Sequence, residues 1–323
     1  MMVRHICISV VTRNRPIMLR KLFQSFQNMQ RPIGERISFL IVENDPTQNL
    51  MEEIEDFRTA MPSDQIIYRN ESVLGISPAR NHALEYALGH HIDFLVFVDD
   101  DEFVERDWLV NLLAARDRRD LDIVGSPVRP TPVEGRLTLE QQLVWSGIRH
   151  GGFKSEKKSR RRCAAGRGHT IKVATGSWIG RVEFFRNTGL RFDSNLGLTG
   201  GEDWHLWSKA KAVGAKSGWA VDAIVYETVP HARLTFSYHF KRSRDHNITE
   251  YMARYSSDPR GTLKNLPWKI AGRFLKCVAV TSVVPLRGAE GLVSFVSALG
   301  GAVGLVQGAL GIRSSHYTQT TGF

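Results

Sequence analysis

FLVFVDDDEF, residues 94–103, runs five apolar residues straight into four consecutive acids. The apolar run, short and partly β-branched, reads as a buried strand over 94–98. Four adjacent carboxylates repel one another, so either something positive sits among them or they fan out into water. Extended backbone points residues i and i+2 the same way, which sets Asp99 and Asp101 on one side of the strand end and Asp100 on the other. Two carboxylates at that spacing suit Mg2+ or Mn2+, hard ions that take oxygen ligands and keep waters beside substrate phosphates. The competing reading is a solvated acidic turn, with Asp as a turn former. Asp100 and Glu102 are expected to support the pair or lead into the next helix.

The pattern repeats on either side of this strand. Residues 6–11 read as a first strand, followed by the polar cluster 12–15. Pro16 then opens an amphipathic helix with Leu19, Leu22, Phe23 and Phe26 on one stripe. Residues 37–42 form a second strand ending in Glu43-Asn44-Asp45-Pro46, residues 50–60 a helix, and 65–68 a short third strand. Ser77-Pro78 reads as a helix start, with Ser77 as N-cap and Pro78 at the first helical position, and Gly89 ends that helix. A further helix is expected over 108–115 and a fifth strand over 123–128. Strands alternating with helices in short units predict an α/β layered fold around a mostly parallel sheet. Ligands of such folds sit beyond the carboxyl ends of the strands. The clusters at 12–15, 43–45 and 99–102 all fall there.

The chain has 323 residues, 42% of them apolar, a net charge of +10 and a pI near 9.7. That length supports one large domain, or a domain with an appendage. A basic balance suits a phosphate-rich partner, an anionic membrane surface or nucleic acid. The three cysteines, Cys7, Cys163 and Cys277, lie far apart without a CxxC pair, which argues against a zinc site or disulfide framework. MMVRHICISVV at the N-terminus reads as a strand rather than a signal peptide, so a cytosolic catalytic body is expected.

The second half is less regular. KSEKKSRRRCAAGRGH, residues 154–169, carries seven Lys or Arg and one Glu, and is expected as a basic loop. It is either simply solvated or a draw for anionic lipid or a pyrophosphate-bearing substrate. Without interleaved aromatics or a recognised binding fold, nucleic acid is not expected as a partner. Residues 291–312 hold no charge and approach the length of a membrane span. Gly300, Gly304 and Gly308 recur every fourth residue, on one helical face suited to close packing. Residues 266–313 are expected as one or two apolar helices that dock on or span a membrane, or meet a partner. The alternative is a soluble hairpin packed on the catalytic body.

SVVTRNRPIMLRKLFQS, FLIVENDP, GISPARNHAL, FLVFVDDDE and GGEDWHLWSKAKAVG stand in this order within residues 5–218. Together they resemble the inverting glycosyltransferases of family 2, in particular bacterial enzymes of exopolysaccharide or lipid-linked oligosaccharide assembly. The resemblance implies a GT-A nucleotide-diphospho-sugar transferase fold with a Rossmann-like, mostly parallel central sheet flanked by helices, over 1–265. Its nucleotide-binding half would cover about 1–128 and its acceptor-binding half about 129–265, with the apolar helical extension at 266–323. It also implies a nucleotide-sugar donor, a UDP-hexose, and Mn2+ or Mg2+. Thr12 and Arg15 would lie near the nucleotide, and Glu43 or Asp45 would meet the base or ribose. Arg80 and Asn81 would contact the base or fix the adjacent loop. Asp99, with Asp100 beside it, would approach ribose and metal waters, and Asp101 would be the main metal ligand. His231 is a further candidate ligand, and Arg233, Arg242 or Arg244 would contact the diphosphate. The QxxRW motif of processive synthases is absent, YHFKRSRDH standing instead, which implies one sugar per cycle.

Inverting transfer needs a base that takes the acceptor hydroxyl's proton, well separated from the metal. Glu202-Asp203, before a helix over 204–212, fits the family's Glu-Asp motif, with Asp203 the assigned base. The competing reading is helix capping, with Asp203 as N-cap and Glu202 at the positive end of the dipole. A helix N-terminus lowers a carboxylate's pKa, so burial beside Trp204 would have to restore its basicity. Trp178 and Trp204 offer flat surfaces to a sugar or belong to the core. Gly200-Gly201 permits close backbone approach to the substrate.

The expected activity is transfer of a single hexose from a UDP-sugar to a hydroxyl of a lipid-linked saccharide or polysaccharide precursor. The expected location is the cytoplasmic face of the inner membrane, peripheral or tail-anchored, or else the cytoplasm, with self-association through the glycine-patterned tail. Two other classes compete. A sugar-nucleotide nucleotidyltransferase would need a glycine- and lysine-rich phosphate loop after the first strand, which VTRNRPIML does not supply. A non-catalytic membrane scaffold would have lost the acids, which are present.

Overall fold

The computed structural model describes residues 3–173, 176–194 and 201–312. Strict alternation comes first: β1 (His5–Thr12), α1 (Pro16–Gln27), β2 (Arg36–Glu43), α2 (Met51–Ala60), β3 (Gln65–Asn70), α3 (Ile76–Gly89) and β4 (Phe94–Asp99). Next come β5 (Glu102–Val104), α4 (Trp108–Asp117), β6 (Ile123–Gly125), β7 (Val128–Pro132) and α5 (Leu139–Ala164). The chain continues through β8 (Ser177–Arg181), α6 (Val182–Thr188), α7 (Glu202–Ala212), β9 (Ser217–Trp219), β10 (Val225–Val229), α8 (Phe236–Ser257) and α9 (Pro259–Ala309).

Seven strands form one sheet in the order β3-β2-β1-β4-β8-β6-β9, parallel except for β8, which runs antiparallel to both its neighbours. This is the GT-A arrangement, mixed α/β with a mostly parallel central sheet. One face is closed by α1, whose stripe buries Leu19, Leu22, Phe23 and Phe26. Phe23 stacks on Phe57 of α2 with centroids 3.9 Å apart, and Phe26 meets Phe39 of β2 at 5.1 Å. The other face is covered by α3, where Ala79, Ala83 and Ala87 let the helix lie close to Leu40, Leu95 and Phe97. Parallel pairing sets Thr12 opposite Glu43 and Val11 opposite Asp99, so the polar clusters end at one edge of the sheet. A smaller sheet has the order β5-β10-β7.

Three local expectations are corrected. The strand expected over 123–128 divides, because Pro127 has no N–H for the ladder, and Val128 begins a strand of the smaller sheet. The cap of α3 is Gly75 at φ 139°, not Ser77, which lies buried inside the first turn. Asn44, across the chain, accepts the Gly75 N–H at 2.8 Å and so fixes where the helix begins. The basic segment 154–169 is helical as far as Ala164 rather than a loop. Glu156 accepts from Arg129 (2.9 Å twice) and from Arg160 one turn on (3.0 Å), and these guanidiniums hold its carboxyl below the usual range.

The chain forms two compact units. One comprises residues up to 131 and 155–228 and contains the seven-stranded sheet. The other comprises residues 132–154 and those from 229 onward, with α8 and α9. The boundary expected at 265 falls inside α9. That helix kinks at Gly288, where φ is 52°, and its segment Gly288–Ala309 is long and apolar enough to cross a membrane. Its glycine face, expected to serve self-association or a membrane, is already taken by α8. A Cβ on Gly300 or Gly304 would collide with the carbonyl oxygen of Phe240 or Arg244, and one on Gly308 would lie 3.1 Å from Tyr251.

Candidate active site

The end of β4 gives up its alternation at once. After Asp99 the chain turns, so Asp100 and Asp101 converge instead of opposing each other. Arg15, just past β1, donates to Asp100 at 2.7 Å and to Asp101 at 3.2 Å. The shared side expected for Asp99 and Asp101 is corrected accordingly: Asp99 turns to a different cation, Arg80. Glu102 folds back to accept the Asp99 N–H at 3.0 Å and is buried. Burial, with Asp99 and Asp101 nearby, pushes its carboxyl well above the usual range. Gly176 lies against it, for a Cβ there would stand 2.5 Å from the Glu102 oxygen. The sequence gave no sign of the Gly176 contact.

Arg80 is the hub. It is fully buried on α3, donating through Nη2 to Asp99 at 3.0 Å and through Nη1 to Glu202 at 2.5 Å and Asp203 at 3.0 Å. One guanidinium fork thus joins the end of β4 to the head of α7, a geometry that lysine cannot reproduce. Gly201, at φ 92°, is the N-cap of α7. Neither acid caps the helix; both stand in its first turn, where the dipole favours negative charge. Burial and a hydrogen bond with Asp203 push Glu202 up to about 7. The restored proton affinity therefore appears on Glu202, through its own burial, while Trp204 is 51% exposed.

The remaining candidates separate clearly. Trp178 is in the core, 2% exposed and stacked on Phe97 with centroids 5.4 Å apart, so it presents no face to a sugar. Glu43 is buried at the end of β2, where it accepts from the Asn49 N–H (3.1 Å) and from the Tyr68 hydroxyl. Asp45 accepts the Thr47 N–H at 3.1 Å and the Thr47 hydroxyl at 2.9 Å, with Arg13 at 3.6 Å, and is held below the usual carboxylate range, mainly by that N–H. Of the two, Asp45 is the nearer to solvent. Asn81 exchanges two hydrogen bonds with the backbone of Phe192, 2.9 and 2.8 Å, and so fixes the adjacent segment. Sequence reasoning assigned Asn44 no role, yet its amide also donates to the carbonyls of Glu71 and Val73. Thr12 is buried at the end of β1. Gly200 lies outside the described residues.

His231 and Arg233 lie in a short 3-10 turn of the second unit, and Arg242 and Arg244 in α8. The His231 ring packs against Gly135, and its Nε2 is buried without a hydrogen-bond partner. Arg244 pairs with Asp245 at 2.8 Å, and Arg242 is exposed.

Six acids, Asp99, Asp100, Asp101, Glu102, Glu202 and Asp203, face two arginines. Burial pushes Asp99 and Asp100 above the usual carboxylate range as well, against the pull of Arg80 and of Arg15. Among the described residues no three His, Cys, Asp or Glu side chains converge as a complete metal cage. The acid-rich end of β4 nevertheless fits a hard divalent ion of the kind that takes one or two carboxylates and completes its shell with substrate phosphates and water.

Comparison with known proteins agrees with this geometry. The sequence model for "Glycosyl transferase family 2" matches residues 7–188. The chain is 31% identical over 240 residues to the succinoglycan biosynthesis protein ExoM of Rhizobium meliloti (strain 1021), covering 74% of this chain and 71% of that protein. Among solved structures, a mannosyltransferase from Pyrobaculum calidifontis, in complex with GDP-Man and Mn2+, aligns with a TM-score of 0.56 at 16% identity, covering 97% of this chain and 77% of that one. TarS residues 1–349 of S. aureus in complex with UDP align with a TM-score of 0.50 at 14% identity, covering 95% and 91%.

Proposed function

The chain belongs to glycosyl transferase family 2, and on that premise we propose that it moves one hexose from a nucleotide-diphosphate sugar, a UDP-hexose, to a hydroxyl of a polysaccharide precursor. The observation that carries the reading is the Arg80 fork, which holds Asp99 on one side and the Glu202–Asp203 pair on the other. An acid for the donor side and a base for the acceptor side are thereby fixed to one rigid point. The UDP and UDP-GlcNAc complexes of TarS, and the GDP-Man and Mn2+ complex of the mannosyltransferase, support a nucleotide-sugar donor.

Asp203 is the more exposed of the pair, 25% against 7% for Glu202, and takes the acceptor hydroxyl's proton. Glu202 stands behind it, sharing a hydrogen bond and anchoring Arg80. Arg80 orients both carboxylates and keeps their charge tolerable in a buried place. Asp99 and Asp101 would hold Mn2+ or Mg2+, with His231 as a further ligand; such an ion stabilises the departing diphosphate as its charge grows. Arg15 fixes the carboxylates of Asp100 and Asp101, Thr12 lines the nucleotide side, Asp45 meets the base or ribose, and Arg233 approaches the diphosphate. Trp204 offers its exposed face to the acceptor beside Gly201. A lipid-linked acceptor at the cytoplasmic membrane face is supported by the apolar C-terminal helix.

A panel of nucleotide sugars, incubated with the full-length protein and a lipid extract as acceptor, tests the proposal by product mass. A gain of one hexose is expected. Repeated addition to one acceptor, or no transfer from any nucleotide sugar, overturns it.

A further inference from the structure

Segment Gly288–Ala309 passes for a membrane span on composition, but its glycine row lies against α8. A span would carry α8 along, and α8 exposes Lys241, Arg242 and His246, groups that hydrocarbon penalises heavily. The first half of α9 has the opposite character. Thr262, Leu266, Lys269, Arg273 and Cys277 recur every three or four residues as its partly buried row. Arg273 donates to Asn247 of α8 at 2.5 Å, which fixes that row as the inward one. The outward face therefore carries Leu263, Trp268, Phe274, Leu275 and Val278, with Trp268 79%, Phe274 68% and Leu275 66% exposed. An ordinary surface helix turns its apolar stripe to the core and its charges to water; here the apolar stripe faces out.

Charge decides what covers it. Residues 259–289 hold six Lys or Arg and no Asp or Glu. Lys264 stands at the start of the apolar face, and Lys276 and Lys269 lie along one flank. A second copy would bring an equally basic face against this one. We propose that the outward face of residues 263–278 lies in the interface of an anionic lipid bilayer, its apolar side chains among the acyl chains and its lysines at the headgroups. The protein is then monotopic, held by the first half of α9, while the second half of that helix serves as internal packing. This deepens the membrane location proposed above and rests on it for location alone; no step of the transfer reaction enters.

The test is flotation of the full-length protein with vesicles of phosphatidylcholine plus phosphatidylglycerol, and with phosphatidylcholine alone. Flotation with the anionic vesicles is expected, with affinity falling about tenfold or more in Trp268→Glu/Phe274→Glu. The same loss is expected in Lys264→Glu/Lys276→Glu, and thermal midpoint and UDP binding should be unchanged in both variants. Absence of wild-type flotation, or full flotation of both variants, overturns the proposal. Membrane-bound protein that resists alkaline carbonate extraction would be spanning, and a vesicle-free dimer broken by Trp268→Glu/Phe274→Glu would place a second copy on this face; either result overturns it. Protein that floats as expected but binds no UDP supports the membrane face while failing the transferase reading.

Discussion

Arg80 donates to Glu202 at 2.5 Å, and neither side chain is open to water, 2% of one and 7% of the other remaining accessible. A pair that is dry on both sides is costly to break from one side only. Arg80→Met leaves Asp99, Glu202 and Asp203 without their common cation, and a loss of about 3–5 kcal/mol is expected in chemical denaturation. Arg80→Lys keeps the charge without the fork, so it should fold and still lose about tenfold or more in transfer rate. A lysine variant with wild-type transfer would remove Arg80 from its organising role.

Glu202 also sets a pH dependence. Its carboxyl stands at about 7 in the folded protein against an ordinary 4.5, so the folded state holds the proton more tightly. That stabilisation is complete below about 4.5 and is lost as pH rises through about 7. Glu202→Gln cannot ionise. Relative to wild type, it should gain stability as pH rises across that window and level off above it. A stability difference independent of pH, measured by denaturant titration, would contradict the assignment.

Asp203→Asn keeps the shape of the side chain and removes its basicity. Transfer should fall by about 10²–10⁴-fold, while UDP affinity in titration calorimetry stays near wild type. Loss of UDP binding together with transfer would make Asp203 a structural residue.

Asp101→Asn addresses the ion. Slow hydrolysis of the UDP-sugar without acceptor is expected to depend on added Mn2+ or Mg2+, to stop on chelation, and to be abolished in the variant at limiting metal. Unchanged hydrolysis at limiting metal would move the metal site elsewhere.

Gly304→Leu tests the helix pair. The added side chain meets the Arg244 carbonyl of α8, and overpacking of this kind costs about 1–3 kcal/mol. Limited proteolysis should cut α8 and α9 faster, while UDP binding persists. Unchanged protease resistance would show the two helices to be loosely packed.

The first hundred residues were legible because their signals are local. Each strand is an unbroken apolar run, and α1 announces itself through Pro16 and its stripe. The Asp99 and Asp203 motifs were legible for the same reason. What stayed hidden depends on distant partners. Ser77 has every attribute of a cap, but Asn44, 31 residues from Gly75, places the helix start. The helix over 155–164 has no apolar stripe to reveal it and is tied by Glu156 to Arg129, 27 residues away. Arg80 reads as a nucleotide contact until the fold brings Glu202 to it across 122 positions. Trp178 looked equally suited to sugar or core, and the antiparallel pairing of β8 with β4 turned it inward against Phe97.

That antiparallel strand has a kinetic consequence. Because β8 lies between β4 and β6, Val124 meets the sheet only through Ile179, and Val96 meets Ile179 from the other side. Strands β6 and β9 therefore have no docking edge until the chain has been made beyond residue 181. The β3-β2-β1-β4 block closes earlier, from segments adjacent in sequence. During synthesis the first hundred residues should collapse as a folding unit of their own, and the later strands should wait for β8 to be threaded between them, a long-range step that sets the pace of the whole.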